Sequence, residues 1–134
     1  MAKATTDLAR RHAGATVRAE EHSVSWRLDA GDVVTVGHGG CVDLGTRVGI
    51  AFAPRPRPAT AEAIRRLLGA TARYWSRSDA NAIAAVLMQR TFMTRVREDG
   101  TIEYESIPDP TSRFAFGFTI TVSADEVVVF WTEA

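Results

Sequence analysis

The residues best suited to chemistry lie together in Gly37-His38-Gly39-Gly40-Cys41-Val42-Asp43. Glycines let a backbone approach a ligand closely and aim N–H groups at an anion. A cysteine becomes a nucleophile when a base and a positive environment populate its thiolate. His38, Cys41 and Asp43 are the side chains that would share that work. The same stretch also makes a wide turn or bulge between strands, with Cys41 as a small buried apolar residue. Two observations favour the turn. His38 and Cys41 are local in sequence, whereas catalytic pairs usually meet through the fold. No Walker, Rossmann, nucleophile-elbow or kinase pattern accompanies them. His12, His22, His38 and Cys41 lack i, i+4 and CxxC spacing, so no metal site and no cofactor is expected. The single cysteine also excludes an intramolecular disulfide.

The second chemical feature is charge. The 134-residue chain is formally neutral, but its charges are segregated. Residues 55–97 hold nine arginines against Glu62 and Asp79, a balance of +7; residues 98–134 hold Arg113 against eight acids, a balance of −7. Such a chain either folds into a bipolar surface or pairs its charges internally. Arg65, Arg66 and Arg73 have only Glu62 at helical pairing distance, which would serve Arg65 or Arg66 and leave the rest for a partner. Tyr74 and Trp75 lie beside these arginines, and arginine with aromatics is nucleic-acid chemistry in outline. The neutral chain and the absence of a nucleic-acid motif argue against it.

These residues must be held by ordinary elements. Residues 6–14 read as a short helix closed by Gly14, with Leu8 as its only large apolar residue. Val24, Trp26 and Leu28 alternate with polar residues, and Val33-Val34-Thr35-Val36 follows across Asp29-Ala30-Gly31. A left-handed Gly31 in a three-residue loop sets Trp26 opposite Val34 and Val24 opposite Val36. Val48, Ile50 and Phe52 make a third strand after the glycine-rich interruption. Pro54-Arg55-Pro56-Arg57-Pro58 is a stiff extended connector.

Thr60 then caps a helix whose stripe is Ile64, Leu67, Leu68, Thr71 and Trp75. Ser78-Asp79 caps a second, alanine-rich helix bearing Ile83, Val86, Leu87 and Arg90. Residues 91–97 and 101–107 form a hairpin across Glu98-Asp99-Gly100, with Val96 facing Ile102, Thr94 facing Tyr104 and Arg95 facing Glu103. The last hairpin is the centre of the fold. Its first strand runs over 113–123, with Phe114, Phe116, Phe118, Ile120 and Val122 on one apolar face; its second is Val127-Val128-Val129-Phe130-Trp131.

Helices and strands are grouped, not alternating. The expectation is one α+β domain over 1–134: a mainly antiparallel sheet of about six to seven strands, two central helices on one face and a short N-terminal helix. No apolar run reaches membrane-helix length and no leader is visible, so a cytoplasmic location without membrane contact is expected. Fifteen arginines to one lysine, with abundant alanine, suggest a GC-rich bacterial or phage genome.

Without a catalytic constellation, the leading reading is non-enzymatic: an interaction or assembly module of the chaperone, immunity or phage-structural kind. It would bind a protein partner or itself through charged faces, with Arg65, Arg66 and Arg73 as contact residues. The alternative is a small ligand-binding protein or enzyme using a sheet–helix cavity and the loop 37–43.

Overall fold

Alternation of apolar and polar residues, broken by glycine turns, gives eight strands among the described residues. The computed structural model describes residues 12, 14–18, 22–28, 31–39, 45–52 and 57–132. The strands are β1 (Ala15–Arg18), β2 (Ser23–Arg27), β3 (Val33–His38), β4 (Gly45–Ala51), β5 (Phe92–Val96), β6 (Ile102–Ser106), β7 (Thr119–Val122) and β8 (Glu126–Thr132). Two helices, α1 (Thr60–Tyr74) and α2 (Arg77–Gln89), separate β4 from β5. The strands form one antiparallel sheet in the order β1-β2-β3-β4-β8-β7-β6-β5. Each half is a meander of four neighbours, and β4–β8 pairing joins them.

The α+β class and the antiparallel sheet agree with the sequence. The strand count is corrected from six or seven to eight, because β1 is a strand of only four residues with little pattern to read. The helix expected over 6–14 lies outside the described residues, apart from His12 and Gly14.

The hairpin registers are those the apolar pattern demands. Trp26 opposes Val34 and Val24 opposes Val36, with Gly31 at φ 91°. Val96 opposes Ile102, Thr94 opposes Tyr104 and Arg95 opposes Glu103, with Gly100 at φ 89°. A one-residue slip in either hairpin would turn the apolar set to the other face. β3 runs on through Gly37 to His38, so the glycine-rich interruption begins later than the pattern suggested.

Rows of inward residues cross the strands. Val24, Val36, Val48, Val129 and Ile120 form one row, and Trp26, Val34, Ile50, Val127 and Val122 the next. All ten are buried beneath Leu67, Ala63, Ala70 and Tyr74 of α1 and Ile83 of α2. The helices thus cover one face. α1 presents Leu67 and Thr71 of the expected stripe to the core, while Ile64, Leu68 and Trp75 sit half-buried at its margins. Thr71 is fully buried, and its Oγ1 donates back to the Leu67 carbonyl at 2.8 Å. The caps differ from expectation. Ala59 precedes α1 without a side-chain cap, and Thr60 is already helical. α2 is capped by Ser76, not Ser78, through acceptance of the Asp79 N–H.

The final hairpin carries the largest correction. Only Thr119–Val122 is strand; residues 113–118 fold into a turn. Gly117 adopts φ 80°, a left-handed conformation that breaks the period of two. A Cβ there would lie 2.9 Å from the Ser106 hydroxyl oxygen. The turn is closed by the Gly117 N–H on the Phe114 carbonyl and by the Phe118 N–H on Ser106 Oγ. Phe114 and Phe118 therefore still reach the core, where Phe114 meets Phe118 and Trp131 edge-on. Phe116 instead stands 61% exposed.

Candidate functional site

The glycine-rich stretch contributes one describable chemical side chain. His38 ends β3 opposite Thr46 of β4, and its Nδ1 lies 2.7 Å from Thr46 Oγ1. Its ring packs 5.0 Å from Trp75 at the end of α1. Gly39 closes the β3–β4 connection by donating to the Gly45 carbonyl. Cys41 and Asp43 lie outside the described residues. His38 therefore serves as a joint between sheet and helix, with one nitrogen engaged by a fully buried threonine.

From that joint a polar chain runs into the helices. Trp75 Nε1 donates to Asp79 Oδ2 at 3.0 Å. Arg113 Nε donates to Asp79 Oδ1 at 3.0 Å, and a second guanidinium nitrogen lies 3.4 Å from Oδ2. Asp79 is 5% exposed, so it takes these donors in place of water. The cluster ties the turn at 113–118 to the start of α2.

Glu62 determines how two of the three partner-binding candidates are disposed. Its Oε1 accepts from Arg65 at 2.6 Å and from Arg66 Nε at 3.0 Å, while Oε2 accepts from Arg65 Nε at 2.7 Å. One carboxylate thus serves both arginines, where the spacing suggested a choice. These bonds hold the Glu62 pKa down at about 2, against an ordinary 4.5. Arg66 also reaches Asp32 Oδ2 at 3.8 Å. Arg73 lies apart, its guanidinium 5.2 Å above the Tyr74 ring. The opposed charge blocks cancel partly by pairing. Glu103 is held by Arg97, the diagonal neighbour, although Arg95 stands directly opposite.

Arg66 and Arg73 meet at a cavity of about 420 Å³ between α1 and the β2–β3 end of the sheet. Its described walls include Val34, Ile50, Phe52 and Ala70, with Asp32, Arg66, Arg73 and Tyr74 as the polar components. Asp32 follows the β2–β3 loop, is 5% exposed, and its Oδ1 has no hydrogen-bond partner. Nothing singled it out in the sequence except an acid placed directly before an apolar strand. No group of three or more potential metal ligands occurs among the described residues.

The other distinctive region is the β5 end of the sheet. Among the described residues β5 pairs only with β6, and its other edge carries one charge and neither proline nor glycine. Met93 and Val96 on β5 are exposed on opposite faces, and Met88, Ile107 and Phe116 are exposed on segments flanking β5–β7.

The chain matches no protein-family model, and no curated protein or solved structure matches it. No described helix is long and apolar enough to cross a membrane.

Proposed function

We infer that this chain is an interaction module that assembles with a second copy of itself through the β5 edge. The observation that carries this reading is an unprotected edge strand set among exposed apolar side chains. Proteins that must stay apart blunt such edges with lysine, proline, bulges or a covering helix. Here the five-residue strand Phe92-Met93-Thr94-Arg95-Val96 carries a single charge, Arg95, and neither lysine nor proline. Val96 shares the core-face row of Ile102 and Val122, yet it lies beyond the helices at 66% exposure.

The strand is self-complementary. In an antiparallel pair of copies centred on Thr94, Phe92 faces Val96 of the second copy, and Met93 faces its Arg95. That register covers the exposed valine with an aromatic and keeps the two Arg95 side chains from facing each other. A two-fold contact of this kind closes on itself and extends the sheet. The charged helix face contributes less, because Glu62 already occupies Arg65 and Arg66.

A contact of this size falls at the low end of specific interfaces, so a dissociation constant on the order of micromolar is expected. Light scattering across a dilution series tests it. The parent should pass from dimer to monomer, and the exposed-site double variant Met93→Lys/Val96→Lys should stay monomeric with unchanged circular dichroism. A parent that is monomeric at high concentration, or a double variant that assembles equally well, refutes the reading.

A further inference from the structure

We propose that a cleft on the helix-free face of the sheet, between Phe116 and Phe130, binds a small alkylated ammonium ion: a trimethylammonium head on a short tail. The site uses residues of one copy and does not depend on pairing at the β5 edge. Met93, Glu105, Thr119 and Phe130 stand in one cross-strand row over β5, β6, β7 and β8. Ile120 and Val129, next to Thr119 and Phe130 along their strands, turn into the core. By the alternation of a strand, the row therefore faces away from the helices. Together with Phe116 it lines a cleft of about 360 Å³.

Two glycines bring the aromatic rings to this cleft. Gly117, in its left-handed conformation, carries Phe116 out of the core. Gly45 of β4 leaves room for Phe130, since a Cβ there would lie 2.8 Å from Phe130 Cε2. Phe116, Phe130 and Met93 all remain exposed, and Glu105 lies half-buried among them. The Glu105 carboxylate makes no hydrogen bond or ion pair with the described residues. Arg47 and Arg95 share this face of the sheet, but neither lines the cleft.

Each feature selects one property of the ligand. An unpaired carboxylate favours a cation and repels an anion. Phenyl faces attract a cation, and a thioether adds a soft, polarizable contact. A metal ion or a primary ammonium needs several oxygen partners, and Glu105 is the one carboxylate among the described lining residues. An ammonium whose hydrogens are replaced by methyl groups needs none, and it buries apolar surface on the rings.

Choline is the probe, and dimethylbutanol, its isostere with carbon in place of the charged nitrogen, is the neutral control. Both are titrated into the isotope-labelled chain and followed by NMR. Choline should shift the amides of Met93, Glu105, Phe116, Thr119 and Phe130 and saturate at a concentration on the order of millimolar. It should bind at least about fivefold more tightly than the isostere. Glu105→Gln should weaken choline by about threefold to fivefold and leave the isostere unchanged. Phe116→Ala, at an exposed position, should weaken choline by about threefold or more. Val96→Lys, on the opposite face of β5, opposes pairing of copies and should leave choline binding unchanged. Equal affinity for choline and isostere, choline binding unchanged in Glu105→Gln or Phe116→Ala, shifts confined to other residues, or no saturation overturns the site. Loss of choline binding in Val96→Lys would assign the ligand to the contact between copies and likewise overturn it. A short peptide bearing trimethyllysine should bind no better than choline; binding more than about tenfold tighter would make the ligand a protein side chain and overturn the small-molecule assignment.

Discussion

Removing Arg113 should destabilise the protein far more than its place in the sequence suggests. Read as the edge of a strand, Arg113 is a solvated side chain whose truncation costs under about 1 kcal/mol. In the structure it closes one side of a buried carboxylate. Asp79 is 5% exposed and receives Arg113 Nε at 3.0 Å and Trp75 Nε1 at 3.0 Å. Arg113→Ala leaves that carboxylate with the Trp75 indole N–H as its remaining hydrogen-bond donor.

Breaking one side of a fully buried pair costs about 3–5 kcal/mol. The Arg113 side chain is 45% exposed, so water can partly replace it, and the figure falls to about 2–3 kcal/mol. For a chain of this length that corresponds to a melting point lower by about 10 °C. Urea melts of Arg113→Ala, Asp79→Asn and the double variant form a cycle. The double variant should cost about 1–2 kcal/mol less than the sum of the singles, because each single strands the other partner. A cost below about 0.5 kcal/mol for Arg113→Ala, or strict additivity, would show that the pair does not hold the 113–118 turn to α2.

Four further outcomes are expected. Phe118→Ala should cost about 3–5 kcal/mol, whereas Phe116→Ala should stay within about 0.5 kcal/mol in the same melts, since only Phe118 leaves a void. Arg90→Gly should raise stability by about 0.5–1 kcal/mol by thermal melting, because Arg90 caps α2 at φ 56°, a conformation that glycine adopts freely. Glu62 should contribute stability above pH 4.5 that fades as the pH falls toward its lowered pKa of about 2, and Glu62→Gln should flatten the acid limb of the stability curve over that range. Arg65→Glu/Arg66→Glu/Arg73→Glu should leave light-scattering mass unchanged if copies meet through β5; dissociation of this triple variant would move the contact to the helix face.

The hairpins were legible because register is a local matter. The placement of Val24, Trp26, Val34 and Val36 around a loop containing Gly31 admits one pairing that keeps all four on one face. Both helices were legible for the same reason, their stripes being spaced over 15 and 13 residues. Phe116 escapes the pattern because residues 113–118 turn around a left-handed Gly117, which leaves Phe114 and Phe118 in the core and Phe116 outside it, and alternation alone cannot report an angle. Thr60 and Ser78 were plausible caps by residue type, but the chain turned one residue before the first and two before the second. The sites were harder still. Asp79 and Arg113 are 34 positions apart, and neither carries a pattern that names the other. The cavity is a property of where α1 lies above the sheet, not of any run of residues. The sequence did mark Arg66 and Arg73, through their shortage of acidic neighbours, but not the Asp32 between the sheet and the helix.

The joint between the two meanders has a consequence for how the chain closes. Every hairpin pairing brings together residues no more than 20 positions apart, the widest being Ile102 with Val122. The β4–β8 pairs lie 75 to 87 positions apart, from Ala51 with Glu126 to Gly45 with Thr132. Closing that distance carries the greatest loop entropy in the sheet, so the halves form first and their union comes late. A molecule caught before union shows water two bare strand edges that belong at the centre of the sheet, and one of them, β8, is rich in valine. The β4 of one molecule fits the β8 of any other as well as its own. At high concentration refolding therefore pits closure against exchange of whole halves between molecules, with α1 and α2 as the bridge that stretches between them.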